Sequence, residues 1–228
     1  MSAREPVLVA WSGGKDSALA LAEVLRDGRY DVAALLTTVT DGYDRVSMHG
    51  VRRTLLRQQA DSLGLRLQEV VIPAQCSNDE YESRMAAALT TARSRSPGLH
   101  AVVFGDLFLT DIRAYRERML SGIGMGALFP LWLRDTSELA REFVRLGYRA
   151  ILVCVDARAL PADFAGREFG TELLDELPPG VDPCGENGEF HTFAYAGPLF
   201  AQRVRYRPGK RVVREGRFVY RDLKDVSR

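Results

Sequence analysis

Val7-Leu-Val-Ala-Trp-Ser-Gly-Gly-Lys-Asp-Ser17 joins an apolar run to a loop built on two adjacent glycines. Val7 to Trp11 shows no polar alternation, so it reads as a strand buried on both faces. Ala18, Leu21, Ala22 and Leu25 then recur at helical spacing, and Gly28 ends the helix. Paired glycines let the backbone turn and gather successive N–H groups around an anion. The following helix points its positive end into the same loop. Ser12, Gly13, Gly14, Lys15, Asp16 and Ser17 therefore read as a phosphate cradle. The loop is not a Walker A motif, because Ala10 stands where that motif needs glycine and Asp16 follows the lysine. Arginine is the default cation of this chain: of 31 basic residues only Lys15, Lys210 and Lys224 are lysine. Lys15 is thus a specific choice. As a loop lysine it is expected to be exposed, so that its loss should spare the fold.

Working outward, Val32-Ala-Ala-Leu-Leu36 predicts a second strand, Leu65 to Ile72 a third, and His100-Ala-Val-Val-Phe104 a fourth, ending at Gly105-Asp106. Helices are predicted between them. Gly50 to Leu63 carries Leu56, Ala60 and Leu63 on one face, and Ser77-Asn-Asp-Glu80 has capping-box spacing ahead of Tyr81, Met85, Ala88 and Ala92. Strands alternating with such helices give a parallel α/β sheet. Ile112, Tyr115 and Met119 mark one more helix. Gly122, Gly124, Gly126 and Pro130 then break the pattern, which divides the chain into 1–126 and 127–228. In the second part, Asp135-Thr-Ser-Glu138 caps a helix, Ala150 to Val155 is a strand, residues 157–189 are rich in turns and acids, and Val212 to Tyr220 forms a hairpin around Glu215-Gly216.

Composition narrows the class. The chain has 228 residues, 46% hydrophobic and 27% charged, with net charge +1. That globular mixture excludes a disordered chain, a collagen and a coiled coil. No apolar run reaches the ~18 residues of a membrane helix, and Val7 to Trp11 is too short for a signal-peptide core. A cytoplasmic protein with no membrane association is expected. Three widely spaced cysteines, Cys76, Cys154 and Cys184, argue against a disulfide framework or zinc knuckle. Charge near zero argues against nucleic acid as a partner. Arg203 to Arg217 holds seven basic residues and one acid, which reads as a solvated outer strand face.

Three further segments carry chemistry. Gly105-Asp106 lies at the carboxyl end of a buried strand, where α/β sheets bind ligands. Asp106 reads as a Mg²⁺ or ribose contact, or as a turn aspartate. His49 precedes a helix and is a candidate for the same crevice. Asp182-Pro-Cys-Gly-Glu-Asn-Gly-Glu-Phe-His-Thr-Phe193 crowds Glu186, Glu189 and His191 around two glycines. Such a cluster can bind a cation, move a proton or hold a polar substrate. It can equally be a solvated acidic loop. If functional, these three side chains should face the glycine loop across the crevice. Gly122-Ile-Gly-Met-Gly-Ala127 matches a dinucleotide-binding string but follows a helix, so it reads as a decoy.

In this order the segments resemble the diphthine–ammonia ligase (diphthamide synthetase) family of PP-loop ATP pyrophosphatases. Ser12 to Ser17 is similar to the family's SGGxDS loop. Arg45-Val-Ser-Met-His-Gly-Val51, Gly105-Asp106, Phe129-Pro-Leu-Trp132, Pro183 to Phe193 and Tyr195-Ala-Gly-Pro-Leu-Phe200 narrow the match. The resemblance implies a parallel-sheet, adenine nucleotide alpha-hydrolase-like (HUP/PP-loop) domain and a smaller mixed α/β C-terminal domain. It implies that ATP activates a carboxylate with loss of pyrophosphate, and that ammonia then gives the amide and AMP. ATP and Mg²⁺ are the implied cofactors. Ammonia and a carboxylate-bearing acceptor are the implied partners, the acceptor being diphthine on elongation factor 2 where the organism makes it. On this reading Ser12, Gly13, Gly14, Lys15, Asp16, Ser17, His49, Gly105 and Asp106 bind the nucleotide, with Asp106 the metal candidate. Lys15, Glu186, Glu189 and His191 are the catalytic candidates. Homodimerisation is left open. Two alternatives stand beside this one: a PP-loop enzyme for tRNA thiolation or lysidine-type ligation, and a nucleotide-binding module without turnover.

Overall fold

The computed structural model describes residues 4–42, 45–46 and 50–226. Its elements run β1 (Glu5–Ala10), α1 (Lys15–Asp27), β2 (Tyr30–Thr40), β3 (Arg45–Val46), α2 (Arg53–Leu63), β4 (Leu67–Ile72), α3 (Asn78–Arg95), β5 (Ala101–Val103), α4 (Thr110–Ser121), β6 (Gly126–Leu128), α5 (Thr136–Arg145), β7 (Arg149–Asp156), a 3-10 turn (Ala162–Phe164), β8 (Glu168–Phe169), α6 (Thr171–Asp175), β9 (Phe190–Ala196), β10 (Tyr206–Arg214) and β11 (Phe218–Asp225).

Strands β4, β2, β1, β5 and β6 pair in parallel in that spatial order, a Rossmann-like α/β sheet. β3 adds an antiparallel pairing at Val39 and Thr40. The chain winds outward from β1 through β2 to β4, then returns to the centre at β5 and winds outward to β6. The winding therefore reverses between β1 and β5, and ligands of such sheets sit outside the strand ends at that point. Both Ser12–Ser17 and Gly105-Asp106 follow these two strands directly.

The sheet is longer than the sequence pattern suggests. β2 continues through Thr37 and Thr38 to Thr40, because β-branched threonine suits a pleated strand despite its polarity. The glycines around β6 predict a break, yet Gly126 to Leu128 pairs with Ala101 to Val103. The expected division at 126/127 thus falls inside a strand of the first sheet. Gly122–Ala127 runs from the end of α4 into β6, the reverse of the strand-to-helix order a dinucleotide loop needs.

The second sheet is antiparallel throughout, with β7 at its centre, β9 along one side, and β8 and β11 along the other. β10 and β11 form the expected hairpin, and Glu215 and Gly216 at its tip both take positive φ. Both predicted N-caps form: Ser77 accepts from the Glu80 N–H and Asp135 from the Glu138 N–H. Residues 157–189, expected to be turns, also hold the short β8 and α6.

Alternation along β1 sends Val7 and Val9 into one core cluster and Leu8 into another. The first cluster is continuous with Phe143 of α5 and with Leu152, Phe193 and Tyr195 of the second sheet. The two sheets therefore share one apolar core and hold the loops between them in fixed relation. Among the described residues no helix is long and apolar enough to cross a membrane.

Candidate active site

The glycine loop leaves β1 at Trp11 and enters α1 at Lys15. Gly13 has φ 81°, and a Cβ there would lie 2.9 Å from Gln59 Oε1, so conformation and space both demand glycine. Gly14 is the N-cap of α1 and has no side chain with which to cap it. Ser12 Oγ accepts from the Gly14 N–H at 3.3 Å, and Ser17 Oγ donates to the Gly14 carbonyl at 2.9 Å. Gly105, at the end of β5, crosses the start of α1 so closely that a Cβ would meet the Asp16 carbonyl carbon at 2.8 Å.

Lys15 differs from expectation. It is only 1% exposed. Its ammonium donates to both Asp16 carboxylate oxygens, at 2.7 and 2.8 Å, and to the Cys184 carbonyl oxygen at 2.5 Å. The faces of Phe169 and Phe190 lie 5.6 and 5.8 Å away. Burial works against the charge, but the Asp16 carboxylate outweighs it, and the Lys15 pKa lies above its ordinary value. Lys15 is a buried tie between the glycine loop and the 182–193 segment. The expected exposed lysine is corrected, because the second sheet covers it.

Other bonds make the same join. The Lys15 N–H donates to Thr192 Oγ1 at 3.0 Å and the Ala194 N–H to the Gly13 carbonyl at 2.8 Å. Gln59, fully buried on α2, accepts from Trp11 Nε1 and donates to the carbonyls of Gly13 and Ala194. On the far side, Glu186 Oε1 accepts from the Leu107 N–H at 2.8 Å. The acidic segment thus clasps the loops after β1 and β5 together.

Between them opens a cleft of about 630 Å³, a size suited to a small-molecule ligand. Ser12, Gly14, Lys15, Asp16, Ser17, Gly105, Asp106, Glu186 and His191 all line it. Leu36, Met85, Val102 and Phe104 add apolar wall, and Arg116 and Thr192 add polar groups. Burial, with the fields of Asp16 and Asp106, pushes the Glu186 pKa up to about 7, although the Leu107 N–H pulls it down. Burial and then the Lys15 charge bring His191 down to about 4, so it is neutral at physiological pH.

Two candidates fall outside the cleft lining. Glu189 is buried, and its Oε1 accepts from the Asp182 N–H and from Asn187 Nδ2 at 3.0 and 3.1 Å. It shapes the loop on which Glu186 sits. Gly13 holds the loop's curvature from behind. His49 lies outside the described residues. Asp106 lines the cleft but is paired with Arg116 of α4, Oδ2 lying 2.7 Å from Nε.

Sequence reasoning missed Gln59 and Arg116. Each carries a signal: a polar side chain on the apolar stripe of a helix, Gln59 beside Leu55, Leu56 and Ala60, Arg116 between Ile112 and Met119.

Residues 5–127 match the diphthamide synthase N-terminal domain, and residues 135–225 match the diphthamide synthase C-terminal domain. The chain belongs to the diphthamide synthase family. Its first sheet is the family's PP-loop domain. Relatives named diphthine–ammonia ligase include one from Schizosaccharomyces pombe, 29% identical over 216 residues, covering 87% of this chain and 35% of that protein. Those from Mus musculus and Homo sapiens are 24% and 25% identical, each covering 85% of this chain and 79% of the relative. The chain spans about a third of the yeast relative's length and most of the mammalian ones.

Proposed function

We propose that this protein is an ATP-dependent, AMP- and pyrophosphate-forming ligase that converts a carboxylate into an amide with ammonia, as the names of its relatives describe for diphthine. The observation that carries the proposal is the clasp. Lys15, Thr192 and Glu186 join the PP-loop, the loop after β5 and the acidic segment around one cleft.

In the first step a carboxylate oxygen attacks the α-phosphorus of ATP, and the bond to the β-phosphate bridge breaks. The positive end of α1 lies at the cleft and would offset the charge that gathers on the leaving pyrophosphate. In the second step the ammonia nitrogen attacks the acyl carbon, the carbon–oxygen bond breaks and AMP leaves. Ammonium must first lose a proton, and another leaves as the amide forms. Glu186, with its pKa near 7, is suited to accept one at neutral pH. His191 adds a neutral imidazole beside it.

Asp16, Asp106 and Glu186 line the cleft, while no three metal-ligating side chains converge among the described residues. That arrangement fits Mg²⁺ held by one or two carboxylates together with phosphate oxygens. Bound there, Mg²⁺ would offset charge on the pyrophosphate. The acceptor we favour is diphthine on elongation factor 2 where the organism makes it, in the cytoplasm. Thiolation would call for a reactive cysteine at the cleft, where Cys184 lies beside Lys15. Burial pushes that thiol up to about 12, and its Sγ contacts the Thr136 carbonyl at 3.3 Å, which disfavours a thiolate nucleophile.

The test is product identification with diphthine-bearing elongation factor 2, ATP and ammonium. Pyrophosphate and AMP in equal amounts, with amide formed only when ammonium is present, are expected. ADP and phosphate would overturn the proposal.

A further inference from the structure

We propose that Arg116 is the oxyanion receptor of the cleft, meeting either the acceptor's carboxylate or the α-phosphate of the nucleotide. This rests on the function proposed above and adds to it a recognition residue that the motifs do not contain.

Arg116 projects from α4 to the carboxyl end of β5 and lines the cleft. Two contacts fix its guanidinium plane. The charge centre lies 4.4 Å from the centre of the Phe104 ring, and Asp106 grips one edge, with Nη2 to Oδ1 at 3.0 Å and Nε to Oδ2 at 2.7 Å. The second approach is close but not aligned as a hydrogen bond, so Nε and Oδ2 remain buried without hydrogen-bond partners. Nη1 has no hydrogen bond or ion pair among the described residues. A guanidinium carries five N–H donors, and this one is immobilised with most of them unused.

Charge in the cleft gives those donors a task. Asp16, Asp106 and Glu186 make it acid-rich, yet adenylation requires a carboxylate and a phosphate, both anionic, to meet there. The Lys15 ammonium is committed to Asp16 and to the Cys184 carbonyl. His191 is neutral. Among the described lining residues Arg116 is therefore the cation with donors to spare. A planar fork held in place matches the two oxygens of a carboxylate or phosphate and loses little freedom on binding. On this account Asp106 positions Arg116.

The test is a double-mutant cycle with Arg116→Gln, Asp106→Asn and the pair. One arm is calorimetric titration with AMP. The other is the KM for diphthine-bearing elongation factor 2 in pyrophosphate release. A tenfold or greater loss of AMP affinity on Arg116→Gln, in both the native and the Asp106→Asn background, assigns the α-phosphate. A tenfold rise in acceptor KM in both backgrounds, at unchanged AMP affinity, assigns the carboxylate. If Arg116→Gln costs nothing in either arm once Asp106 is Asn, Arg116 merely neutralises Asp106 and the proposal is overturned. Arg116→Lys keeps Asp106 paired but lacks the fork; it is expected to fall between wild type and Arg116→Gln, and wild-type behaviour would count against the proposal. Should the native protein release no pyrophosphate with this acceptor, the proposed function fails there and the AMP titration alone decides Arg116.

Discussion

The ammonium of Lys15 donates to the carbonyl oxygen of Cys184, 169 residues further along the chain, at 2.5 Å. The lysine of the glycine loop thus reaches into the 182–193 segment and holds it over that loop. Binding and folding are coupled at this residue.

Lys15→Ala is accordingly expected to destabilise the fold as well as abolish turnover. It leaves the Asp16 carboxylate and the Cys184 carbonyl without their partner, a loss of about 3 kcal/mol, at the low end for a broken buried pair because Asp16 is partly exposed. Urea unfolding curves measure it. Lys15→Ala with Asp16→Asn should regain part of the loss, since the stranded charge is gone. Equal stability of Lys15→Ala and wild type would show that the tie carries no load.

Glu186 predicts a pH signature. A carboxyl raised from 4.5 to about 7 binds its proton more tightly in the folded state than in the unfolded one. Its contribution to stability is present in full below 4.5 and is lost as pH rises through about 7. Glu186→Gln, which stays neutral, should therefore gain in melting temperature relative to wild type between pH 5 and pH 8. Turnover should move the other way. At a fixed concentration of free ammonia it should rise through about pH 7 in wild type as Glu186 ionises, and the rise should be absent in Glu186→Gln. His191 acts in the opposite sense on stability: lowered from 6.5 to about 4, its contribution is present above 6.5 and lost as pH falls through about 4.

Glu189 is expected to behave as a loop-shaping residue. Glu189→Ala removes the acceptor of two hydrogen bonds, from the Asp182 N–H and Asn187 Nδ2. It should cost about 1–3 kcal/mol. Glu189→Gln keeps an acceptor oxygen and should recover most of both stability and turnover. A Gln variant as inactive as the Ala variant would mean that the charge itself takes part in the chemistry.

The first α/β sheet was legible because its signals are local. A buried strand, a glycine turn and an amphipathic helix are each written in consecutive residues, and so are the caps at Ser77 and Asp135. β6 escaped notice because Gly126 and Ala127 have little strand preference, and only the adjacent β5 makes a strand of them. The candidate site divides in the same way. Residue types in the 182–193 segment announced polar chemistry, but Glu186 and Glu189 stand three positions apart with the same side chain. One reaches the Leu107 N–H across the cleft and the other turns back to the Asp182 N–H. Nothing in the local sequence separates them. The burial of Lys15, the pairing of Asp106 with Arg116 and the shifted pKa of Glu186 likewise depend on which distant side chains pack nearby. The sequence alone determined the fold class, the glycine loop between β1 and α1, and the family. Only tertiary packing decided which charges face the cleft and which are spent holding it together, because solvation and Coulomb energy depend on distances between groups far apart in the chain.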